Sequence, residues 1–293
     1  MKKEIPNITF DKNQDLGIEV MNFDELVERL GHTKGHSPYA VHRIQFFLIL
    51  MINKGPYTHF VDFESFTLTE GSTLFISKNQ VHHFTEGLKA CKGFCIIFKY
   101  KFISSAPLSL ELLKLNRIFN YHLGNPIVHQ HELKDDSLIK LGANLHYEYS
   151  IENSFAKIEI LNALLQVLLL KAERAKAAQT VSGVKLHCLD VINTFKNRLE
   201  KDYIRTRNSR AYAEELLVSY KFLNDIIKKL TGKTAKAFID DYVAIEVKRY
   251  LVSTALSIKE ISYKTGFDEP SNLVKFFKKN IGVTPLKFRQ QFQ

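Results

Sequence analysis

Short apolar runs separated by turn residues characterise the chain between about residues 40 and 105. Ile44 to Ile52 is a continuous apolar run that ends at Lys54-Gly55-Pro56, and the runs Ser72 to Ile76 and Phe94 to Phe98 follow. Runs of this length, rich in β-branched and aromatic residues, are typical of strands in a sandwich or small barrel. The pattern therefore predicts a β-rich region.

Helical spacing replaces strand spacing from about residue 107. Leu108, Leu112 and Leu115 recur at helical intervals, and the stretch 153–178 contains a stronger seam whose apolar residues step by three and four. The members of this seam are Ile158, Leu161, Leu165, Leu168 and Ala172. Such a seam favours either a helix packed on its own barrel or a helix that pairs with a second copy of the chain. We expect a dimer helix, with the first alternative left open.

The last third of the chain has an all-helical pattern. Helix signals cover about residues 186–203, 209–217, 220–230, 235–252, 258–265, 270–279 and 285–291. The predicted fold class is α+β with two domains. The first is a β-barrel with helices over residues 1–178, with its strands at about 40–105 and its helices at about 107–178. A linker over 179–185 leads to an all-α domain over 186–293.

An internal repeat specifies the all-α domain further. Residues 228–238 read KKLTGKTAKAF and residues 278–288 read KKNIGVTPLKF, so five of eleven positions are identical at an offset of 50. Upstream of each copy stands a small residue, Ala213 or Ser262, then a turn, then a residue able to cap a helix, Ser219 or Asp268. A small residue at a close helix crossing, a turn and a second helix are the features of a helix-turn-helix unit.

The segment between the two units has a length suited to duplex DNA. Ala235 to Val252 would measure about 27 Å as a helix. Two recognition helices that enter successive major-groove segments are about 34 Å apart. A duplicated unit with a spacer of this length predicts a DNA-binding domain.

The charge distribution supports a polyanionic partner for one end of the chain. The formal net charge is +10 over 293 residues. Residues 185–293 contain 21 Lys and Arg against 12 Asp and Glu, whereas residues 1–184 contain 20 against 19. The excess of positive charge therefore lies almost entirely on the predicted all-α domain, where it would face nucleic acid.

Other features favour a cytoplasmic protein. No apolar stretch reaches the ~18 residues of a membrane span, and the N-terminus leads into polar sequence rather than the apolar core of a signal peptide. The three cysteines are an odd and sparse set, which suits reduced thiols.

The C-terminal region resembles the DNA-binding domain of the AraC/XylS family of bacterial transcription regulators over residues 212–291. The segments that carry the resemblance are Ser219-Tyr220-Lys221-Phe222-Leu223, Gly232-Lys233-Thr234, Ile258-Lys259-Glu260-Ile261-Ser262, Gly266-Phe267-Asp268, Phe277-Lys278-Lys279 and Gly282-Val283-Thr284-Pro285. The strands before it are similar to the cupin-like effector domain of many members. The resemblance implies a dimeric DNA-binding regulator, more often an activator, that works with RNA polymerase and responds to a small molecule.

The resemblance also implies which residues meet DNA. In the first unit these are Ser219, Tyr220, Lys221, Asn224, Asp225, Lys228 and Lys229, and in the second Asp268, Pro270, Ser271, Asn272, Lys275, Lys278 and Lys279. Asn272 has the chemistry to read adenine, and Lys275 that to read guanine or bind a phosphate. The paired lysines that end each helix are expected to neutralise phosphates.

Two departures from the family pattern stand out. Asp225 occupies a position where members usually have Arg, and an acid there would repel phosphate, so we expect the first recognition helix to be less suited to base reading. Val243 and Val247 stand where the linker helix usually carries Arg and Ala, and we interpret both as core residues.

The β-rich domain carries a partial metal-ligand pattern. His59, Glu64 and His82 have a spacing that resembles three of four cupin metal ligands, and Tyr57 stands in place of the usual first His. We favour the alternative that these are residues of a degraded cupin, and we expect no metal, no cofactor and no catalytic residue. The rival hypothesis is a metal-dependent cupin enzyme fused to a DNA-binding tail.

The effector itself is not specified by the sequence. Phe46, Phe47, Tyr57, Phe60 and Phe75 predict an apolar, aromatic pocket, although each is also a plausible core residue. A regulator that binds no ligand and acts through its abundance is a further alternative.

Overall fold

A computed structural model describes residues 6–9, 16–32, 37–104, 118–119, 125–133, 137–152, 154–179 and 186–292. The chain forms two compact units, one of Asn7–Ser182 and one that contains Gly183–Gln293. The helix predicted around Leu108, Leu112 and Leu115, and most of the predicted linker 179–185, lie outside the described residues.

Ten described strands form two five-stranded sheets in the first unit. The strands are β1 (Asn7–Ile8), β2 (Ile18–Asn22), β3 (His42–Ile44), β4 (Phe47–Lys54), β5 (Tyr57–Val61), β6 (Glu64–Leu68), β7 (Ser72–Ile76), β8 (Val81–His83), β9 (Lys92–Phe98) and β10 (Ile127–His129). One sheet has the order β1-β3-β8-β5-β6 and the other β10-β7-β4-β9-β2. Every pairing is antiparallel except the parallel β1–β3 pair.

Helices cover part of the second sheet. The described helices of this unit are α1 (Phe23–Gly31), a 3₁₀ turn (Glu86–Ala90), α2 (Tyr100–Ser104), α3 (Gln130–Leu133), α4 (Ser137–Ser150) and α5 (Lys157–Gln179). Along β4, Leu48 and Leu50 belong to one hydrophobic core, whereas Ile49 and Met51 belong to a second core shared with α4 and α5. Because both faces of this strand are buried, its sequence is a continuous apolar run rather than an alternating one.

The strand predictions succeed within the region they cover. Ser72–Ile76 is β7, and Phe94–Phe98 lies within β9. The run from Ile44 to Ile52 is not one strand: β3 ends at Ile44, and Gln45 bends the chain before β4 begins. The sequence patterns missed β1, β2, α1 and β10, which lie outside residues 40–105.

The predicted dimer seam on α5 needs correction. Leu161, Leu165, Leu168 and Ala172 are fully buried in the core of their own unit, and only Ile158 is exposed. The seam therefore packs on its own domain, the alternative that the sequence left open, because these residues cover the second sheet.

The second unit is all helical in its described part. It contains α6 (Leu186–Asp202), α7 (Ser209–Glu215), α8 (Tyr220–Thr231), α9 (Ala235–Ser253), α10 (Ile258–Lys264), α11 (Pro270–Ile281) and α12 (Pro285–Gln290). Each helix lies within two residues of its predicted bounds. A β-rich unit followed by a helical unit confirms the predicted fold class. Within the described ranges, no helix has both the length and the apolar character needed to cross a membrane.

Candidate nucleic-acid interface and cavity

The sequence repeat corresponds to two copies of one helix-ending device. Recognition helices α8 and α11 end at Gly232 and Gly282, which have φ values of 72° and 85°. Two residues later, Thr234 and Thr284 accept hydrogen bonds from the backbone N–H groups of the next helices. The motif Gly-x-Thr therefore ends one helix and caps the following one at the same place in both units.

The turns that precede the recognition helices are also equivalent. Val218 donates its backbone N–H to the Ala213 carbonyl, and Phe267 donates to the Ser262 carbonyl. The residue directly before each donor has a left-handed backbone conformation, with φ of 56° at Leu217 and 76° at Gly266. Leucine adopts this conformation at a steric cost, so the first turn is the more strained.

The outward faces of the two recognition helices carry most of the predicted DNA-binding residues. Exposed positions on or next to α8 are Ser219, Tyr220, Lys221, Asp225, Lys228 and Lys229, and those on or next to α11 are Asp268, Ser271, Asn272, Lys275, Lys278 and Lys279. Leu223 and Leu273 occupy equivalent positions on the opposite faces and are fully buried. Each helix thus presents one basic, polar stripe, although Asp225 interrupts that of α8.

Two predicted site residues have other roles in the structure. The Asn224 side-chain oxygen accepts a hydrogen bond from the Ala235 backbone N–H at 3.0 Å, so Asn224 is committed to the start of α9. Asp268 does not cap α11: that helix begins after Glu269, which makes no side-chain capping bond, and Pro270 fills the first turn without losing a donor. Sequence spacing could not show the Asn224 contact, since its partner is eleven residues away.

Linker helix α9 joins the two helix-turn-helix units through its buried residues. Val243 and Val247 are fully buried, as expected for core residues. The buried side chains of Glu246 and Arg249 form an ion pair within the helix. At its end, the Arg289 guanidinium donates to the carbonyl oxygens of Leu251 and Leu256 at 3.0 and 2.6 Å. The helix is therefore fixed at both ends, by Asn224 and Arg289.

A second connection between the two helix-turn-helix units does not involve the linker helix. Arg207, just before α7, stacks its guanidinium on the Phe267 ring and donates to the Thr265 carbonyl. Burial lowers the Arg207 pKa below its usual value. A Cβ on Gly266 would lie 2.3 Å from the Ile204 carbonyl oxygen, so the chain before α7 lies directly on the second turn. The first helix-turn-helix unit is thus connected to the second at two places, by α9 and by Arg207.

In the β-rich unit, the structure brings together two of the three predicted metal ligands. His59 and His82 are fully buried, and a 3.1 Å hydrogen bond joins His59 Nε2 to His82 Nδ1. Glu64 is exposed at the start of β6, on the hairpin after β5. Among the described residues, no group of three His, Cys, Asp or Glu side chains is arranged to hold a metal ion.

A cavity of about 170 Å³ lies inside the same unit. Its lining is mostly apolar, and consists of Ile8, Thr9, Met21, Leu26, Arg29, Leu30, Pro38, His42, Phe46, Leu48, His82, Phe84, Cys95 and Ile97. Of the five aromatic residues predicted to form a pocket, only Phe46 lines it. Phe47 and Phe75 pack in the helix-side core, and Phe60 stacks on His83.

The ionisable groups around the cavity are held neutral or paired. Burial lowers the His59 pKa to about 3 and the His82 pKa well below its usual value. Burial also raises the pKa of the Cys95 thiol to about 12. The Arg29 guanidinium forms an ion pair with the buried Glu19 carboxylate. The Arg29 charge is therefore balanced by Glu19, and the Cys95 thiol and these two histidines add no charge at neutral pH.

Comparison with known proteins matches both units to family models. Residues 24–169 match the AraC-like ligand binding domain, and residues 212–291 match a helix-turn-helix domain. Together the two models cover more than three quarters of the chain.

Individual relatives match over about a third of the chain or less. The chain is 30% identical over 79 residues to the uncharacterized HTH-type transcriptional regulator YtdP of Bacillus subtilis. This match covers 27% of the chain and 10% of YtdP. The chain is 31% identical over 105 residues to the Msm operon regulatory protein of Streptococcus mutans, which covers 35% of this chain and 37% of that protein. The chain thus matches well under half the length of either relative.

Among solved structures, ToxT from Vibrio cholerae is 14% identical, with 86% of this chain and 91% of ToxT covered and a TM-score of 0.44. The two family models, in this order along one chain, carry the assignment. The chain belongs to the AraC/XylS family of transcription regulators.

Proposed function

We propose that the protein is a bacterial transcription regulator that binds specific DNA sequences through both helix-turn-helix units. The observation that carries the proposal is the duplicated recognition helix, which exposes Lys228 and Lys229 in one copy and Lys278 and Lys279 in the other. Exposed lysines at these positions neutralise phosphates, while Ser271, Asn272 and Lys275 at the start of α11 face the bases. Asp225 leaves the first helix less suited to base reading than the second.

The salt dependence of DNA binding tests this proposal. Binding of the full chain to a labelled duplex is measured by fluorescence anisotropy across a range of salt concentrations. Each lost phosphate contact reduces the slope of log affinity against log salt by about 0.9. We expect Lys278→Gln and Lys279→Gln each to reduce the slope, whereas Lys54→Gln, in the β-rich unit, leaves it unchanged. Equal slopes for all variants would contradict the proposal.

The protein is further proposed to act as a homodimer through the outer face of α5. Ile160, Ala163, Val167 and Leu170 step by three, four and three residues, and all four are exposed. They form a second seam on the side of the helix opposite the buried one. An exposed apolar seam at this spacing suits an antiparallel or parallel pairing with the same helix of a second copy.

Sedimentation of single variants tests the dimer. Val167→Glu and Leu170→Glu place charges in the seam, and we expect each to shift the protein towards monomer. Tyr147→Asp, at an exposed residue of α4, serves as the control. A wild-type monomer at all concentrations, or unchanged dimers of both glutamate variants, would contradict the assignment.

Regulation by a small molecule, and activation through RNA polymerase, complete the proposal. The cavity in the β-rich unit supports an effector, since it is large enough for a small ligand and is mostly apolar. An effector must bind the DNA-competent state with a different affinity from the other state to act. Transcription in vitro from a bound promoter, with and without the protein, tests activation.

A further inference from the structure

One polar atom of the cavity wall is unusual. His82 lines the cavity, its side chain is buried, and its Nε2 atom has no hydrogen-bond partner. Its other ring nitrogen, Nδ1, is occupied by His59. A buried polar atom without a partner costs free energy, so its presence beside a cavity points to a ligand atom that completes it.

A chain of hydrogen bonds decides whether this nitrogen donates or accepts. Thr85 donates its backbone N–H to the Tyr57 hydroxyl oxygen at 3.3 Å. The Tyr57 hydroxyl lies 3.0 Å from His59 Nδ1, which is the acceptor within reach of its proton. Burial raises the Tyr57 pKa to about 12, so the hydroxyl keeps that proton and donates it.

The direction of the first bonds fixes the rest of the chain. Since His59 Nδ1 accepts from Tyr57, the proton of the neutral His59 ring is on Nε2, which donates to His82 Nδ1. The neutral His82 ring must then carry its own proton on Nε2. The reverse direction would leave the Tyr57 hydroxyl proton buried without an acceptor. The unpartnered Nε2 atom of this wall residue is therefore an N–H donor.

Size and charge restrict the ligand further. An engineered apolar cavity of about 150 Å³ binds benzene, so a cavity of about 170 Å³ suits a molecule of one ring with few substituents. The positive charge of Arg29 on the wall is balanced by its ion pair with Glu19. A neutral molecule therefore enters without the cost of burying a charge.

We propose that the cavity binds neutral, single-ring-sized molecules that carry one carbonyl-type acceptor, and that this acceptor bonds to His82 Nε2–H. This inference rests on the proposed effector function and names its ligand class. His82 selects for the acceptor, and Tyr57 and His59 are positioning residues that hold its proton on the cavity side. The apolar wall residues, Leu48, Phe84 and Ile97 among them, contact the ring.

The tautomers can be read without any ligand. Side-chain ¹⁵N shifts of the full chain distinguish N–H from bare ring nitrogens. We expect His59 and His82 both to carry the proton on Nε2 at pH 7. In Tyr57→Phe the lock on His59 is removed, and a mixture of tautomers is expected. A wild-type His82 with its proton on Nδ1, or a doubly protonated ring, would overturn the proposal.

Three probe molecules test the ligand class by ligand-observed NMR titration of the full chain. Acetophenone has the ring and the acceptor, α-methylstyrene replaces the carbonyl oxygen by a CH₂ group, and benzoate carries a charge. We expect acetophenone to bind about five- to tenfold more tightly than α-methylstyrene, the gain of about one net hydrogen bond. Benzoate is expected to bind more weakly than acetophenone. Equal affinities of the first two, or tighter binding of benzoate, would overturn the proposal.

Variants separate His82 from the cavity in general. His82→Phe is expected to bind acetophenone and α-methylstyrene with similar affinity, whereas His83→Phe, at the next position of β8, keeps the preference. If His82→Phe does not fold, the tautomer measurement on the wild type decides. Acetophenone binding that leaves DNA affinity unchanged would count against the effector function and not against this site. DNA binding without binding of any of the three probes would count against this site and not against the effector function.

Discussion

The Arg207 guanidinium lies 3.7 Å from the centroid of the Phe267 ring, which joins the approach to the first helix-turn-helix unit with the turn of the second. Together with α9, this contact gives two connections between the two helix-turn-helix units. A stacked, partly buried guanidinium is worth about 2 kcal/mol. The spacing of the recognition helices is therefore a property of the folded domain rather than of the DNA alone.

Arg207→Ala should lower the free energy of unfolding of the helical unit by about 2 kcal/mol, because the stack and the bond to the Thr265 carbonyl are both lost. Arg198→Ala removes an exposed arginine of α6 in the same unit and should change it by less than about 0.5 kcal/mol. Chemical denaturation followed by circular dichroism measures both. Equal stabilities of the two variants would show that the contact contributes nothing.

Glycine exchanges in the two turns should have opposite effects. Leu217→Gly relieves a left-handed leucine and should stabilise the protein by about 0.5–1 kcal/mol, after the entropy cost of glycine is subtracted. Gly266→Ala adds a Cβ in contact with Ile204 at a left-handed position and should cost about 2 kcal/mol or more. Thermal melting compares the two. Destabilisation by Leu217→Gly would contradict the strain assigned to this turn.

Asn224 and Asn272 should differ in what their loss affects. Asn224→Ala removes the acceptor of the Ala235 backbone N–H at the start of α9 and should lower stability by about 1 kcal/mol, with the order of preference among DNA sequences unchanged. Asn272→Ala, at an exposed position, should leave stability unchanged and relax base preference at one position by about 1–3 kcal/mol. Denaturation and competition binding separate these outcomes. Loss of base preference in Asn224→Ala would return that residue to the interface.

The buried histidines should make the β-rich unit sensitive to acid. Burial holds the pKa of folded His59 at about 3, against about 6.5 in the unfolded chain, so the unfolded state binds more protons between these values. Stability is therefore full above pH 6.5 and falls as pH decreases, by about 1.4 kcal/mol per such histidine at pH 5.5. Denaturation at pH 7.5 and 5.5 measures the loss. His59→Gln should reduce it, and an unchanged loss in that variant would contradict the assignment.

Helix positions in the C-terminal unit could be predicted because local residues specify them. Ser219 caps α8, Gly232 ends it, and Thr234 caps α9, so the bounds follow from residues next to the helix ends. The contact of Asn224 with Ala235 depends on how two helices meet, and no local pattern reports it.

The β-rich unit was harder to predict because apolar residues lie on both faces of its elements, and only one face of a helix such as α5 is buried. Helix α5 has apolar residues at a/d spacing on both its inner and its outer face, and the sequence does not tell which face the sheet covers. The cavity is likewise a product of residues from many strands. Of its wall, only Phe46 and the histidine His82 were singled out from sequence.

The most direct test of the central claim is selection of binding sites from random duplex DNA with the full chain. Two rigidly joined recognition helices should enrich a site with two short conserved blocks about ten base pairs apart, one helical turn of DNA. The block read by the second unit should be the more strongly conserved, because Asp225 weakens the first. Enrichment of no sequence, or of blocks whose separation varies freely between selected sites, would contradict the account.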